Sequence, residues 1–221
     1  MSIDPATQAF FTLHRDLPRE GPGEAADVAW AASTIGLAAN AQIADIACGP
    51  GADIAALLTA APQGHVTALD KTAHFVQAAR DVWQDDPRVT VLRADMAAIA
   101  NTYDLIWCAG AVYFMGVEAA LGAWRKSLTK TGVIAFSDAC WFTDTPSDGP
   151  KAMWARDYPA MTDTAGITAQ IEAAGYEVLG QRRLPDAAWE AYFAPLEARI
   201  ATLREGADAA LIQVLDEAAA E

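Results

Sequence analysis

The chain has 221 residues, 53% of them apolar, which is enough for one domain with a real core and too apolar for a disordered segment. Its 29 acidic and 15 basic residues leave a net charge of −14. Such a field repels nucleic-acid phosphates and anionic membrane surfaces, so the expected partner is a small molecule, with no nucleic acid and no membrane. The opening MSIDPATQAF lacks a basic region followed by an apolar run, and no apolar stretch is long enough to span a bilayer. Three cysteines without CxxC spacing suit a reducing compartment, so a cytoplasmic location is expected.

Residues 4–40 carry two helical stretches joined by LPREGPGE, whose Pro and Gly cannot continue a helix. QIADIAC (42–48) predicts a buried strand and ADIAALLTAA a helix. HVTALD (65–70) reads as strand, TAHFVQAARDVW as helix, RVTVLRAD (88–95) and YDLIWCA (103–109) as strands. VEAALGAWRKSL is helical and GVIAFSD (132–138) a fifth strand. This alternation predicts an α/β fold: a Rossmann-like, doubly wound, mostly parallel sheet with helices on both faces. Residues 139–162 form a long aromatic connection, expected to be a lid over the site. Helix TAGITAQIEAA, strand YEVLGQRR (176–183) and two more helices follow. The whole is expected as a single domain: helical cap 1–40, core 41–138, lid and substrate segment 139–162, C-terminal helices and strand 163–221.

The strongest chemical signal is Asp45-Ile-Ala-Cys-Gly49-Pro-Gly51. A strand ends near an acid, turns through two glycines and enters a helix. Gly49 permits the turn, and Gly51 lets a ligand approach the backbone. The helix start offers free N–H groups to a carboxylate or phosphate. A dinucleotide-binding G-x-G-x-x-G wants a third glycine, but position 54 is Ile. Asp70 closes the second strand, where a carboxylate accepts ribose hydroxyls. Asp95 closes the third, positioned for an adenine amino group, with Met96 against the ring.

The runs IADIACGPG, TALD, RADM, YDLIWCAGAVYFMG and WRKSLTKTGVIAFSD resemble the class I S-adenosylmethionine-dependent methyltransferases. LPREGPG, YPAMTD and AGYEVLGQRRLPDAAWEAYFAPLEARI are similar to a UbiE-like bacterial branch that acts on small molecules. The resemblance implies S-adenosylmethionine as cofactor. Gly49, Gly51 and neighbouring backbone would hold the methionine part, and Asp45, Ala47, Cys48 and Ala109 belong to the same cofactor-binding set. Asp70 would hold the ribose, Asp95 the adenine with Met96 against the ring, and Lys71 belongs to the cofactor-binding set. Arg19 and Gly23, in the 17–23 loop, join that set: Arg19 pairs with the methionine carboxylate, caps the substrate or is a solvated surface charge. Such enzymes end in a hairpin whose last strand lies beside strand five. After Glu205 the pattern is only helical, so that strand is either missing from the fold or outside the chain.

The activated methyl leaves the protein to bind, align and exclude water, with a general base needed only for an acceptor that must lose a proton. Asp138, then Tyr113 and His14, are the candidates for that base. Tyr113, Trp141, Trp154 and Tyr158 are the expected acceptor walls. Cys48, Cys108 and Cys140, all near strand ends, are either small buried apolar residues or a thiolate cluster for a soft substrate. His65 and His74 sit where no chemistry is expected, and no metal-ligand spacing occurs. Two rivals remain: an NAD-type oxidoreductase and a non-catalytic S-adenosylmethionine-binding protein.

Overall fold

The computed structural model describes residues 4–220. In chain order these form α1 (Pro5–His14), α2 (Ala25–Ile35), β1 (Gln42–Ile46), α3 (Ile54–Ala60), β2 (His65–Asp70), α4 (Ala73–Trp83) and β3 (Val89–Arg93). There follow β4 (Tyr103–Ala109), α5 (Val117–Trp124), β5 (Leu128–Ser137), α6 (Asp148–Asp157), α7 (Thr164–Ala173), α8 (Asp186–Leu203) and α9 (Ala209–Ala218). The chain divides into two compact units, Ala25–Arg183 and Met1–Glu24 with Leu184–Glu221.

The larger unit is built on a five-stranded parallel sheet of order β3-β2-β1-β4-β5. Successive side chains on a strand point to opposite faces. On β1 and β4, Ile43, Leu105 and Trp107 therefore meet Val28 and Ala31 of α2 and Ile54 and Leu57 of α3. Ala44, Ile46, Ile106 and Cys108 turn the other way, onto Leu121 and Trp124 of α5 and Ile167 and Ile171 of α7. Helices on both faces are what near-continuous apolar strands require, because neither face tolerates water. The strand order reverses between β1 and β4, and the crevice at that switch point opens at the carboxyl ends of the strands.

β5 starts earlier than the sequence pattern suggests. Leu128 already pairs with Tyr103, while Val133 pairs with Leu105, so β5 bulges between the two pairs. Gly132 sits in that bulge, where a Cβ would stand 2.6 Å from the Tyr103 carbonyl oxygen. Asp104 clips the same region, accepting from Thr129 Oγ1 at 3.0 Å and from the Gln42 N–H at 2.9 Å.

Two expectations need correction. The 139–162 connection is not all loop, because it contains α6. Residues 176–183 are not a strand: they run without a ladder partner, since β5 and β3 are the sheet's edges and the segment pairs with neither. Side chains hold the segment to α2 instead. Gly180 lies against Thr34 and Trp30, and Arg182 donates to Asp27 with its guanidinium 5.1 Å from the Trp30 ring centre.

The smaller unit packs α1 against α8 and α9 around Leu13, Leu17, Leu196, Ile200 and Leu215. Asp4 caps α1 by accepting from the Thr7 N–H at 3.0 Å, with Pro5 at the first helical position. At its other end Arg199 donates to the Leu13 and Thr12 carbonyls, at 2.6 and 2.8 Å.

Candidate functional site

β1 leaves the sheet into a loop whose backbone is left-handed at three positions: Ala47 (φ 55°), Gly49 (φ 53°) and Gly51 (φ 88°). Each reverses the local course of the chain before α3 begins. A Cβ on Gly51 would stand 2.8 Å from Ile54 Cδ1 and 3.3 Å from Ala79 Cβ, so this position needs glycine for space as well as for φ. Ile54, standing where a dinucleotide fingerprint has glycine, is fully buried. Ala47 has a Cβ in a conformation that costs an L-residue about 1–2 kcal/mol. Ala47→Gly should raise stability by about 0.5–1 kcal/mol, after the added freedom of the unfolded chain is subtracted. Urea denaturation checks this; no gain would mean the strain is relaxed in solution.

Asp70, the last residue of β2, is 8% exposed and fixes this loop. One carboxylate oxygen accepts from the Gly49 N–H at 3.1 Å, the other from the Thr72 N–H at 2.7 Å. Each oxygen keeps a further lone-pair direction for a ligand hydroxyl. Asp45, 3% exposed, lies one strand away within β1. Burial first, then the Asp45 and Asp70 charges, push the Cys48 thiol far up, so it is no nucleophile. Asp53, which the sequence pattern did not single out, is buried and accepts from the Trp107 indole N–H at 2.9 Å, locking α3 to β4. An acid at the start of an otherwise apolar helix was the available signal.

The neighbouring strand ends continue the rim. Asp95 is exposed, and its Oδ1 accepts from the Ala97 N–H at 2.8 Å. The Met96 carbonyl accepts from Trp124 Nε1 at 2.7 Å, which pins the turn. A cleft of about 260 Å³ is lined by Lys71, Arg93, Ala94 and Asp95. Lys71 Nζ stands 5.5 Å above the Phe114 ring. A groove of about 490 Å³ between α2 and α3 is walled by alanines and Thr59 and offers no titratable group.

At the ends of β4 and β5, the Gly110 N–H after Ala109 is shared by the Ser137 carbonyl and hydroxyl, at 3.1 and 2.9 Å. Ser137 was another residue unmarked in the sequence. Asp138 follows it. One carboxylate oxygen accepts from the Tyr158 hydroxyl at 3.0 Å, and the other from the Ala139 N–H at 3.0 Å. Burial raises the Asp138 carboxyl to about 6, against the smaller opposing pull of the Tyr158 hydrogen bond. Burial also pushes the Tyr158 phenol up, and the Asp138 charge adds to it. Tyr113, on a 3₁₀ turn, lies 5.5 Å from Tyr158 and 6.4 Å from Trp154 between ring centres, with Trp154 and Tyr158 6.5 Å apart. The fold thus brings Tyr113, Asp138, Trp154 and Tyr158 together. Trp141 is held through its backbone, its N–H donating to the Thr162 carbonyl at 2.9 Å.

The remaining named residues are described within their own units. His14, Arg19 and Gly23 belong to the smaller unit. His14 Nδ1 is 2.7 Å from Glu20 Oε2, and its ring stacks on Phe10. Arg19 Nε donates to the Gly21 carbonyl at 2.6 Å, and its guanidinium occupies the space a Cβ on Gly23 would need. Cys48 and Cys108 pack into cores on opposite faces of the sheet, so the three cysteines form no thiolate cluster. Among the described residues no group of three His, Cys, Asp or Glu side chains is arranged to hold a metal ion. None of their helices is long and apolar enough to cross a membrane.

Comparison with known proteins places this geometry. Residues 43–132, from β1 to the β5 bulge, match the family model described as a methyltransferase domain. A methyltransferase from Geobacter sulfurreducens, solved in complex with S-adenosyl-L-homocysteine, superposes with a TM-score of 0.80 at 18% identity, over 96% of this chain and 88% of that one. One from Thiobacillus denitrificans, also in complex with S-adenosyl-L-homocysteine, gives 0.80 at 19% identity, over 100% of this chain and 91% of its own. The fold is therefore that of the S-adenosylmethionine-dependent methyltransferases. A curated relative, ribosomal RNA large subunit methyltransferase G of Pseudomonas putida, is 34% identical over 91 residues. That match spans 39% of this chain and 24% of the relative, about a quarter of its length.

Proposed function

We propose that the protein transfers a methyl group from S-adenosylmethionine to a small-molecule acceptor, as the UbiE-like branch it resembles would. The observation that carries this reading is the buried Asp70 carboxylate, bonded to the Gly49 N–H of a left-handed glycine loop at the sheet's switch point. The residues present fit the cofactor. The missing Cβ of Gly51 faces Ile54 and Ala79, so that glycine serves the packing and turn of the loop rather than ligand approach, while the Asp70 oxygens retain lone pairs for ribose hydroxyls. The Asp45 and Asp70 charges suit a ligand that carries an ammonium and a sulfonium. Asp95 and Met96 stand at the next strand end for the adenine.

When bound, S-adenosylmethionine supplies an activated methyl on a positively charged sulfur. The chain's own residues then bind, orient and dry the site. The loop amides and Asp70 fix the position of the donor. Tyr113, Trp154 and Tyr158 form an apolar wall beside the Asp138 carboxylate; Trp154 lies on α6 and Tyr158 directly follows it, both in the 139–162 segment, which acts as the lid. Asp138 is the group placed to take a proton from an acceptor that must lose one.

Isothermal calorimetry should give a micromolar dissociation constant for S-adenosylhomocysteine, about −8 kcal/mol, and no heat with NAD. Binding of NAD in its place would overturn the reading in favour of an oxidoreductase. The partial match to a ribosomal RNA enzyme supports a second reading, methylation of RNA. The net charge of −14 weighs against it, since phosphate contacts need a positive surface. Filter retention of ribosomal RNA at physiological salt should be absent, and retention would favour the RNA acceptor.

A further inference from the structure

We infer that the acceptor is a small protonated amine, received by Asp138 as its counter-ion against the rings of Tyr113 and Trp154. The fate of that amine rests on the methyl-transfer reading above; its binding does not. Asp138 has two hydrogen-bond partners, the Tyr158 hydroxyl and the Ala139 N–H. Among the described residues no Lys, Arg or His forms an ion pair with it. The titratable groups that feel its charge are the Tyr158 phenol and the Cys108 and Cys140 thiols. All three are pushed upward and stay neutral; Asp163 adds to the push on Cys140, and Arg183, whose guanidinium stands over the Phe142 ring, opposes it, but among the described residues no cation is paired with the carboxylate itself.

A carboxylate withdrawn from water without a cation is costly, and an incoming ammonium supplies what is missing. The electron-rich faces of aromatic rings favour the same ligand. An anionic acceptor would meet both Asp138 and the overall charge of −14. A phenol is the neutral candidate, and the fold contains its own control. Tyr158 is a phenol hydrogen-bonded to this very carboxylate, and it keeps its proton.

An ammonium differs because burial penalises both charges of the pair at once, raising the carboxyl and lowering the amine. Proton transfer then turns an ion pair into two neutral groups. The proton passes from nitrogen to an Asp138 oxygen. The freed lone pair forms the N–C bond to the methyl carbon as the C–S bond breaks. Its electron pair stays on sulfur, which becomes a neutral thioether, and the nitrogen now carries the positive charge. Asp138 afterwards returns its proton to water. Tyr158 is a positioning residue that holds the carboxylate.

The test is calorimetry of the full chain with three shape-matched probes: N-methylphenethylamine, 4-ethylphenol and 3-phenylpropionate. Each is titrated with and without S-adenosylhomocysteine. The amine should bind in preference to the others, more tightly as pH rises through about 6, where Asp138 ionises. Asp138→Asn should weaken it about tenfold or more, as lost bonds to a charged group do. Tyr158→Phe keeps the carboxylate and should move the pH midpoint upward, because the hydroxyl's bond favours the ionised form. That variant serves if Asp138→Asn does not fold. Amine binding without any S-adenosylhomocysteine binding would overturn the methyl-transfer reading alone. No amine binding, phenol bound as well as amine, or a pH midpoint unmoved in Tyr158→Phe would overturn the amine.

Discussion

Asp70→Ala is expected to weaken S-adenosylhomocysteine binding by about 10- to 100-fold, the loss that follows removal of hydrogen bonds to a charged acceptor. Two effects add. The ribose hydroxyls lose their acceptor, and the Gly49 and Thr72 amides lose the oxygens that orient the loop. The buried Gly49 N–H, left unpaired, costs about 1–3 kcal/mol of stability as well. Asp70→Asn separates these effects, because its one carbonyl oxygen satisfies one of the two amides. Its stability should fall less than that of the alanine variant while binding stays weak. Calorimetry paired with thermal unfolding makes the comparison. An unchanged dissociation constant in Asp70→Ala would remove Asp70 from the cofactor site.

The sheet was legible because its strands are buried on both faces. HVTALD and YDLIWCA are apolar runs bounded by polar turns, and both strands appear with those bounds. Parallel order follows from the helices between them. α6 was not legible: DGPKAMWARD buries no residue, so it carries no apolar stripe to reveal a helical period. YEVLGQRR misled in the opposite direction. Its residues suit a strand, yet a strand exists only through a neighbour's hydrogen bonds, and that neighbour is not encoded in the segment itself. The glycine loop's acids and glycines were readable in sequence, whereas the left-handed backbone of Ala47 was not, since alanine gives no sign of it. The Asp138–Tyr158 contact joins residues 20 apart across a connection with its own helix, and no local pattern announces it.

Asp138→Asn should lower turnover by about 10²- to 10⁴-fold for any acceptor that must shed a proton, the usual contribution of a placed base. Wild-type kcat/KM should rise with pH until Asp138 is ionised, levelling above about 6, while the variant's residual activity stays flat across that range. Stability should move the other way. The Asp138 carboxyl is raised from 3.8 to about 6 by burial, so between these values the folded chain holds a proton that the unfolded chain has lost. Its contribution to stability is complete below about 4 and is lost as pH rises through about 6. Asparagine never ionises and escapes that loss. It gives up one of the carboxylate's two hydrogen bonds, which lowers stability equally at every pH. The difference in Tm between variant and wild type should therefore grow in the variant's favour from pH 4 to pH 7. A catalytic carboxylate kept in an apolar wall carries this signature, activity falling while relative stability climbs with pH. A merely structural Asp138 would show the same Tm trend, which follows from burial alone, but its asparagine variant would keep the wild-type turnover and pH profile, and that outcome would pass the general-base role to Tyr113.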